Sequence, residues 1–383
     1  PFKEGLQGRV QYNGEYVAIE TAKAIENLNL LADAAEKAKQ AGNIEQAIAS
    51  YEKSLAFAEQ AALKDKVQVI RQTISSLRLQ QAMELARKAE EDKEWKKAAE
   101  TYQKAMELIS TLAKPEEKGA IAKHMAAAAL RHELDESKRA FTASEWQKTV
   151  EMLQRAQKII ADNPTIVSET EQVEINKLLI NARVYQFLAD AKKAFTQQDW
   201  DGAVRVYNQA TQLLRDNEAV LGRDEVTDSV GKIEKTVLMT QITREQNQIE
   251  RDATKSDKLS TNLEHYRAIA SLIEKSPLKE DAVLREIYQD SKAQVVNLEK
   301  KILINSKVEY LKENYEDIFK KNYPSAKASE LLNPQATFVK REGSIMIFTL
   351  SCAERNQGRT FRLELNYQYD LDKGTWSLYP GKL

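Results

Sequence analysis

Between Lys138 and Ala210 the chain repeats itself. Lys138-Arg139-Ala140-Phe141-Thr142-Ala143-Ser144-Glu145-Trp146 is answered by Lys192-Lys193-Ala194-Phe195-Thr196-Gln197-Gln198-Asp199-Trp200. After each Trp a small residue comes at the third position (Thr149, Ala203), a large one at the seventh (Leu153, Tyr207) and Ala at the tenth (Ala156, Ala210). Two more copies lie upstream. Trp95 is followed by Ala98, Tyr102 and Ala105; in the first copy Gly42-Asn43-Ile44 replaces the turn and Trp, followed by Ala47, Tyr51 and Ser54. With Ile44 and the three Trp residues as markers, the copies lie 51, 51 and 54 residues apart. A fixed period of this size constrains the fold strongly, because every copy must adopt the same supersecondary unit.

The unit reads as an αα-hairpin. Upstream of each turn, small or apolar residues recur at helical spacing: Leu31, Ala34, Ala35 and Ala38, then Ala82, Leu85, Ala86 and Ala89, and later Phe187, Ala191 and Ala194. Alanine at such steps lets two helices approach closely, and a Tyr or Leu one turn later fills the gap between neighbours. Trp just after the turn is expected to pack in the core and pin the second helix to the first. Ser144 is placed to cap a helix starting at Glu145, with Gln147 completing a capping box, and Asp199 to cap the helix at Trp200. One hairpin cannot bury its apolar face alone, so four stack as a solenoid.

At these residues the chain resembles the tetratricopeptide (TPR) repeat family. Gly42 to Leu55 is similar to that family's turn and second helix, and Trp95-Lys96-Lys97-Ala98-Ala99-Glu100-Thr101-Tyr102-Gln103-Lys104-Ala105 is closer still. The period departs from the family's, which is about 34 residues, so the resemblance is to a long-period variant; the Leu-Gly pair of the family's first helix is also missing. The resemblance implies that first helices line a groove. It places there Glu36 and Lys39 of copy one, Met83, Arg87 and Glu90 of copy two, Leu134, Lys138 and Phe141 of copy three, and Leu188, Lys192 and Phe195 of copy four. Met83, Arg87, Leu134, Lys138, Phe141, Leu188, Lys192 and Phe195 are the candidate partner-binding residues. Lys138 and Lys192 beside Phe141 and Phe195 suit an acidic, partly apolar peptide or helix. The alternative is that both Phe residues close the turn and both Lys residues are merely solvated.

Charge narrows the partner. Lys+Arg number 57 against Asp+Glu 58, a formal net charge of −1, without the basic footprint that phosphate binding needs, so nucleic acid is not expected. No run of 18 apolar residues spans a membrane. Cys352 is the single cysteine, which excludes an intramolecular disulfide. The chain starts at Pro1 rather than Met, consistent with a processed product or an expressed fragment.

The expected order is an irregular segment 1–14, four TPR-like hairpins over 15–221, a long-helix spacer over 222–305 and a small α+β domain over 306–383. Asn13-Gly14 suits either a hairpin turn or a loop into the first helix. The helical pattern continues to about Leu332, with breaks expected at Pro115 and Asn163-Pro164 among others, both prolines suiting helix starts. Val226, Val230, Ile233, Val237, Ile242 and Ile249 form a stripe compatible with a long helix or coiled-coil arm. After Asn333-Pro334 the period falls to two. Phe361, Leu363, Leu365, Tyr367 and Tyr369 alternate with polar residues, and strands are expected at Ala336–Arg341, Ser344–Ala353, Thr360–Tyr369 and Thr375–Tyr379. Turns at Glu342-Gly343, Asn356-Gln357-Gly358 and Asp372-Lys373-Gly374 make this a four-stranded antiparallel meander, covered by the helix holding Leu311, Tyr315 and Ile318.

No phosphate loop, dinucleotide fingerprint, paired CxxC or GxSxG is present. His132-Glu133-Leu134-Asp135-Glu136 lacks the second His of a zincin and reads as a solvated helix face; Asp370-Leu371-Asp372-Lys373-Gly374 lacks the later ligands of a calcium loop and reads as a turn. No cofactor or metal is expected. The leading expectation is a non-enzymatic scaffold or adaptor that binds another protein or peptide. The rival is a self-associating structural or filament subunit; an enzyme with a site beside Arg362 and Glu364 shows no nucleophile or base.

Overall fold

The computed structural model describes residues 8–12, 14–112, 115–252, 258–324, 331–356 and 359–381. The chain is mainly α-helical with a small C-terminal antiparallel sheet. It divides into two compact units, Pro1–Asp190 with Gln209–Val230, and Ala191–Asn208 with Gly231–Leu383.

In the first unit a hairpin of β1 (Arg9–Tyr12) and β2 (Glu15–Ala18) stands where an irregular lead-in was expected, with Gly14 at φ 89° in its turn. Asn13 and residues 1–7 lie outside the described residues. The helices follow as α1 (Ile19–Gln40), α2 (Ile44–Gln60), α3 (Lys64–Glu91), α4 (Trp95–Thr111), α5 (Pro115–Thr142), α6 (Trp146–Asp162), α7 (Glu169–Thr196) and α8 (Trp200–Asp216), with α7 from Ala191 and α8 up to Asn208 assigned to the second unit. Their lengths explain the period. A 28-residue helix, a three-residue turn, a 17-residue helix and a three-residue link fill the 51 residues from Lys64 to the start of α5. The longer link 163–168 accounts for the last spacing of 54.

Every hairpin turn is built the same way. After α1, α3, α5 and α7 the chain turns through a left-handed residue: Gly42 (φ 77°), Lys93 (58°), Ser144 (59°) and Gln198 (61°). In each, the next N–H reaches back to close the helix, as in Glu94 N to Ala89 O at 2.8 Å and Glu145 N to Ala140 O at 2.9 Å. The left-handed residue itself donates to the carbonyl three back, as Ser144 N does to Phe141 O at 3.0 Å. These are Schellman closures. Ser144 is therefore a helix terminator and caps nothing; α6 starts at Trp146 with Glu145 before it and no side-chain cap. Asp199 does cap, accepting from Gly202 N–H at 2.9 Å. Pro115 opens α5, but Pro164 sits in a link, and α7 starts from a capping box of Ser168 and Glu171.

The repeat positions are the core. Ala47, Ala98, Thr149 and Ala203 at the third step, and Ser54, Ala105, Ala156 and Ala210 at the tenth, are at most 1% exposed. Tyr102 and Leu153 at the seventh step are as deeply buried. Consecutive helices pack on one another from α1 through α6, and α7 joins through Ile175, Leu179 and Ala182 against Val150, Leu153 and Ala156.

The short α9 (Glu218–Leu221) belongs to the first unit, as does α10 (Arg223–Asp252) up to Val230; in the second unit the rest of α10, α11 (Leu259–Lys275) and α12 (Ala282–Glu313) share a core of Leu238, Ile242, Ile269, Ile273 and Leu284. The expected arm is thus a packed helical group, because Ile242 is covered by α11 and α12. Helix α13 (Tyr315–Asn322) follows a break at Asn314. Strands β3 (Leu331–Glu342), β4 (Ile345–Asn356), β5 (Arg359–Asp370) and β6 (Thr375–Leu378) form the antiparallel order β3-β4-β5-β6. The helical pattern expected to about Leu332 ends at Asn322; residues 325–330 lie outside the described residues, and Leu331 and Leu332 belong to β3. A register shift between Leu332 and Gln335 absorbs Pro334, which has no N–H for the ladder. Gln357-Gly358 of the next expected turn lies outside the described residues.

Leu311, Phe319, Met346, Phe348 and Leu350 are at most 1% exposed and join helices to sheet; each large apolar side chain buried this way contributes about 1.5–3 kcal/mol. Trp376 lies flat against Tyr310, with centroids 5.5 Å apart, and beside Phe348 at 5.4 Å. Among the described residues no helix is long and apolar enough to cross a membrane.

Candidate functional site

The tightest grouping of expected partner-binding residues is at the third hairpin. Lys138, Phe141 and Thr142 of α5, Thr149 and Leu153 of α6 and Leu178 of α7 enclose a recess of about 160 Å³. Its floor is apolar because Ser137 and Thr149 turn their hydroxyls into their own helices, onto Leu134 O at 2.8 Å and Glu145 O at 3.0 Å. Lys138 is exposed, and no ion pair holds it among the described residues. Beside the recess, Phe141 meets Trp146 edge-on at 5.1 Å and Tyr185 at 5.6 Å, while Trp146 and Tyr185 stack at 4.9 Å and 18°. Tyr185 remains 45% exposed and Leu178 38%, so the aromatic group presents an apolar face.

The other expected residues divide. Arg87, Lys138 and Lys192 share one repeat position and are all exposed. Met83 packs into the α3–α4–α5 core, and Leu134 and Phe141 lean on the α5–α6–α7 core. Leu188 is half-buried on α7; Phe195, in the second unit, meets Trp200 edge-on at 4.9 Å and 81°, as Phe141 meets Trp146. Glu36 accepts the Tyr51 hydroxyl at 2.8 Å and Glu90 that of Tyr102 at 3.0 Å. The Tyr51 bond, with Lys39 assisting, holds the Glu36 carboxyl below its ordinary value. Burial first, then the carboxylate partner, pushes both phenols up to about 12. These two acids are tied inside their own hairpins.

The three repeat Trp residues are half-buried and not fully packed in the core as expected. Two of them sit at joints between hairpins: Trp95 donates its indole N–H to Asp135 of the next hairpin at 2.8 Å, and Trp146 stacks on Tyr185 of α7, while Trp200 meets Phe195 of its own hairpin. Leu178 and Tyr185 escaped the sequence reading because they lie off the repeated positions. The Ser168–Glu171 box was legible as S-x-x-E but lies in the one irregular link.

The chemistry candidates stay quiet. Glu136 pairs with Arg139 at 2.6 Å, and among the described residues no group of three or more His, Cys, Asp or Glu is placed to hold a metal. Cys352 is 3% exposed, and burial pushes its thiol up to about 11, opposite to what a nucleophile needs. Asp370 accepts N–H groups from Asp372 and Lys373 at 3.0 and 3.2 Å, which closes a turn. Arg362 and Glu364 form an exposed pair at 3.4 Å.

No family model and no curated protein matches this chain. The likeness to TPR repeats therefore rests on its own residues and their spacing.

One buried polar group lies apart, in the second unit. Glu245 of α10, 8% exposed, receives His265 Nδ1 at 2.7 Å and Arg244 Nη2 at 2.9 Å, and Arg244 also reaches Asp201 at 2.8 Å. Burial raises its carboxyl pKa, but the His265 and Arg244 contacts outweigh burial and hold it below the ordinary 4.5. This arrangement fastens α10 to α11.

Proposed function

We propose that this chain is a non-enzymatic scaffold of TPR-like hairpins that binds another protein through its third hairpin. The recess where Lys138 meets the apolar wall of Phe141 and Leu178 carries this reading. A pocket this small takes one apolar side chain, and an unpaired cation at its rim favours a carboxylate beside that side chain. An acidic amphipathic peptide or helix has both. Leu178→Ser with Lys138→Glu alters the recess at exposed positions and leaves the hairpin cores intact. Capture from the native cell by the tagged chain, identified by mass spectrometry, should lose its main partner in this variant at unchanged helicity. The harsher pair Phe141→Ser and Phe195→Ser should do the same at some cost in stability. Undiminished capture by both variants removes the recess from the proposal.

Self-association is the second reading, favoured by one observation. Strand β6 pairs only with Tyr367–Asp370, so the outer edge of β5 from Thr360 to Glu364 has no strand partner among the described residues. An open edge is a template for a second chain. A molecular mass by light scattering that stays monomeric across concentration removes this reading.

A further inference from the structure

The seventh step after the turn is a tyrosine in the first, second and fourth copies (Tyr51, Tyr102, Tyr207) and Leu153 in the third. The second hairpin shows what the ring does there. Tyr102 is 0% exposed, its ring stacks on His124 of α5 with centroids 5.5 Å apart, and its hydroxyl donates to Glu90 of α3 at 3.0 Å. One repeat later, the residues that take these three places are Leu153 of α6, Leu178 of α7 and Phe141 of α5. All three line the recess of the third hairpin. The recess thus lies where the preceding copy holds its own phenol. Leu153 has no ring to reach into that space, and Leu178 has none to stack over it.

Size and lining then name the occupant. The recess holds about 160 Å³, and an apolar cavity of about 150 Å³ walled by leucine and phenylalanine takes up benzene. Phe141 stands in place of the carboxylate that accepts the Tyr102 hydroxyl. A phenol seated here would bury its hydroxyl without that acceptor, whereas a plain phenyl ring has no polar group to satisfy. Phe141 also offers the incoming ring an aromatic neighbour. Lys138 is the one charged residue in the lining.

We propose that the recess is a socket for one phenylalanine ring of the partner protein, seated among Phe141, Leu153 and Leu178, with a carboxylate next to that phenylalanine meeting Lys138. This rests on the reading that the recess binds a partner, and adds which side chain anchors it. The probes are three short peptides with Phe, Leu or Ala between two aspartates, each titrated into the full chain and followed by ligand-observed NMR. The Phe peptide should bind about tenfold tighter than the Ala peptide, the factor that burying the side chain supplies. It should bind about threefold tighter than the Leu peptide, through ring contact with Phe141. Leu153→Tyr with Leu178→His restores the pair present in the second hairpin, so it should fill the socket from within. The Phe peptide should then bind about tenfold more weakly at unchanged helicity. If that variant loses helicity, Leu178→His alone, at an exposed position, should still weaken the Phe peptide about threefold. Lys138→Gln should weaken it about twofold, as loss of one exposed charge pair does, and keep the preference for Phe over Leu. Equal binding of the Phe and Leu peptides overturns the socket and leaves the recess as a general apolar site. Phe-peptide binding that a folded filled variant does not weaken lies elsewhere, and overturns both the socket and the recess. No binding of the Phe peptide to the parent chain overturns the socket, while loss of capture by Leu178→Ser with Lys138→Glu would still uphold the wider reading.

Discussion

At the scale of single residues, the hairpin turns carry strain that glycine would relieve. Ser144 and Gln198 hold left-handed backbone at φ 59° and 61°, a conformation that costs an L-residue roughly 1–2 kcal/mol. Glycine removes that cost but adds entropy to the unfolded chain, about 0.4–1 kcal/mol in the other direction. Ser144→Gly should therefore stabilise by roughly 0.5 kcal/mol, read as a higher denaturant midpoint. Ser144→Ala should be nearly neutral, whereas a true N-cap would lose about 1 kcal/mol on the same change. Glu245 makes a second prediction. Its folded carboxyl is held below 4.5, so its contribution is present above that pH and is lost as pH falls through the lower folded value. Glu245→Gln should lower stability near neutral pH and flatten the acid limb of the stability curve below the ordinary carboxyl value of 4.5. An unchanged acid limb would show that other carboxylates set it.

At the scale of helices and strands, the repeat works through close approach. Ala98 and Ala105 of α4 are 0% exposed, leaving no space for a longer side chain. Ala98→Leu should cost about 1–3 kcal/mol by overpacking, visible in thermal unfolding. The seventh-step tyrosines add a pH effect. Tyr102 ionises only near 12 when folded, so the unfolded chain releases that proton first and stability falls as pH rises from about 10 towards 12. Tyr102→Phe should remove this part of the alkaline loss. The hairpin elements were legible in the sequence because each repeated residue faces its own partner helix, so periodicity reports burial directly. The Schellman turns were not, since Lys93, Ser144 and Gln198 are not the glycines that usually mark a left-handed position. Ser144 looked like a cap because Ser before a helix usually is one; here the previous helix claims it first.

At the scale of the whole molecule, the two units hold separate cores. The sheet core centres on Phe348, whose ring meets Phe338 at 5.5 Å and Trp376 at 5.4 Å. Phe348→Ala should cost about 3–5 kcal/mol. Hydrogen exchange, read by mass spectrometry, should quicken across β3 to β6 while α3 to α6 keep their protection. Faster exchange throughout would mean that the units unfold together.

The chain by itself determined its repeat, the positions that must be small, and the change to alternating strands near the C-terminus, because those are local periodicities that burial imposes on each element. Only tertiary structure decided which residues share a surface. Lys138 and Leu178, forty residues apart, line one recess, Trp146 stacks on a tyrosine outside the repeat, and Glu36 and Glu90 accept hydrogen bonds from tyrosines of their own hairpins. The reason is physical: period fixes which side of a helix is buried, whereas the neighbour that covers it is chosen by packing between helices far apart in sequence.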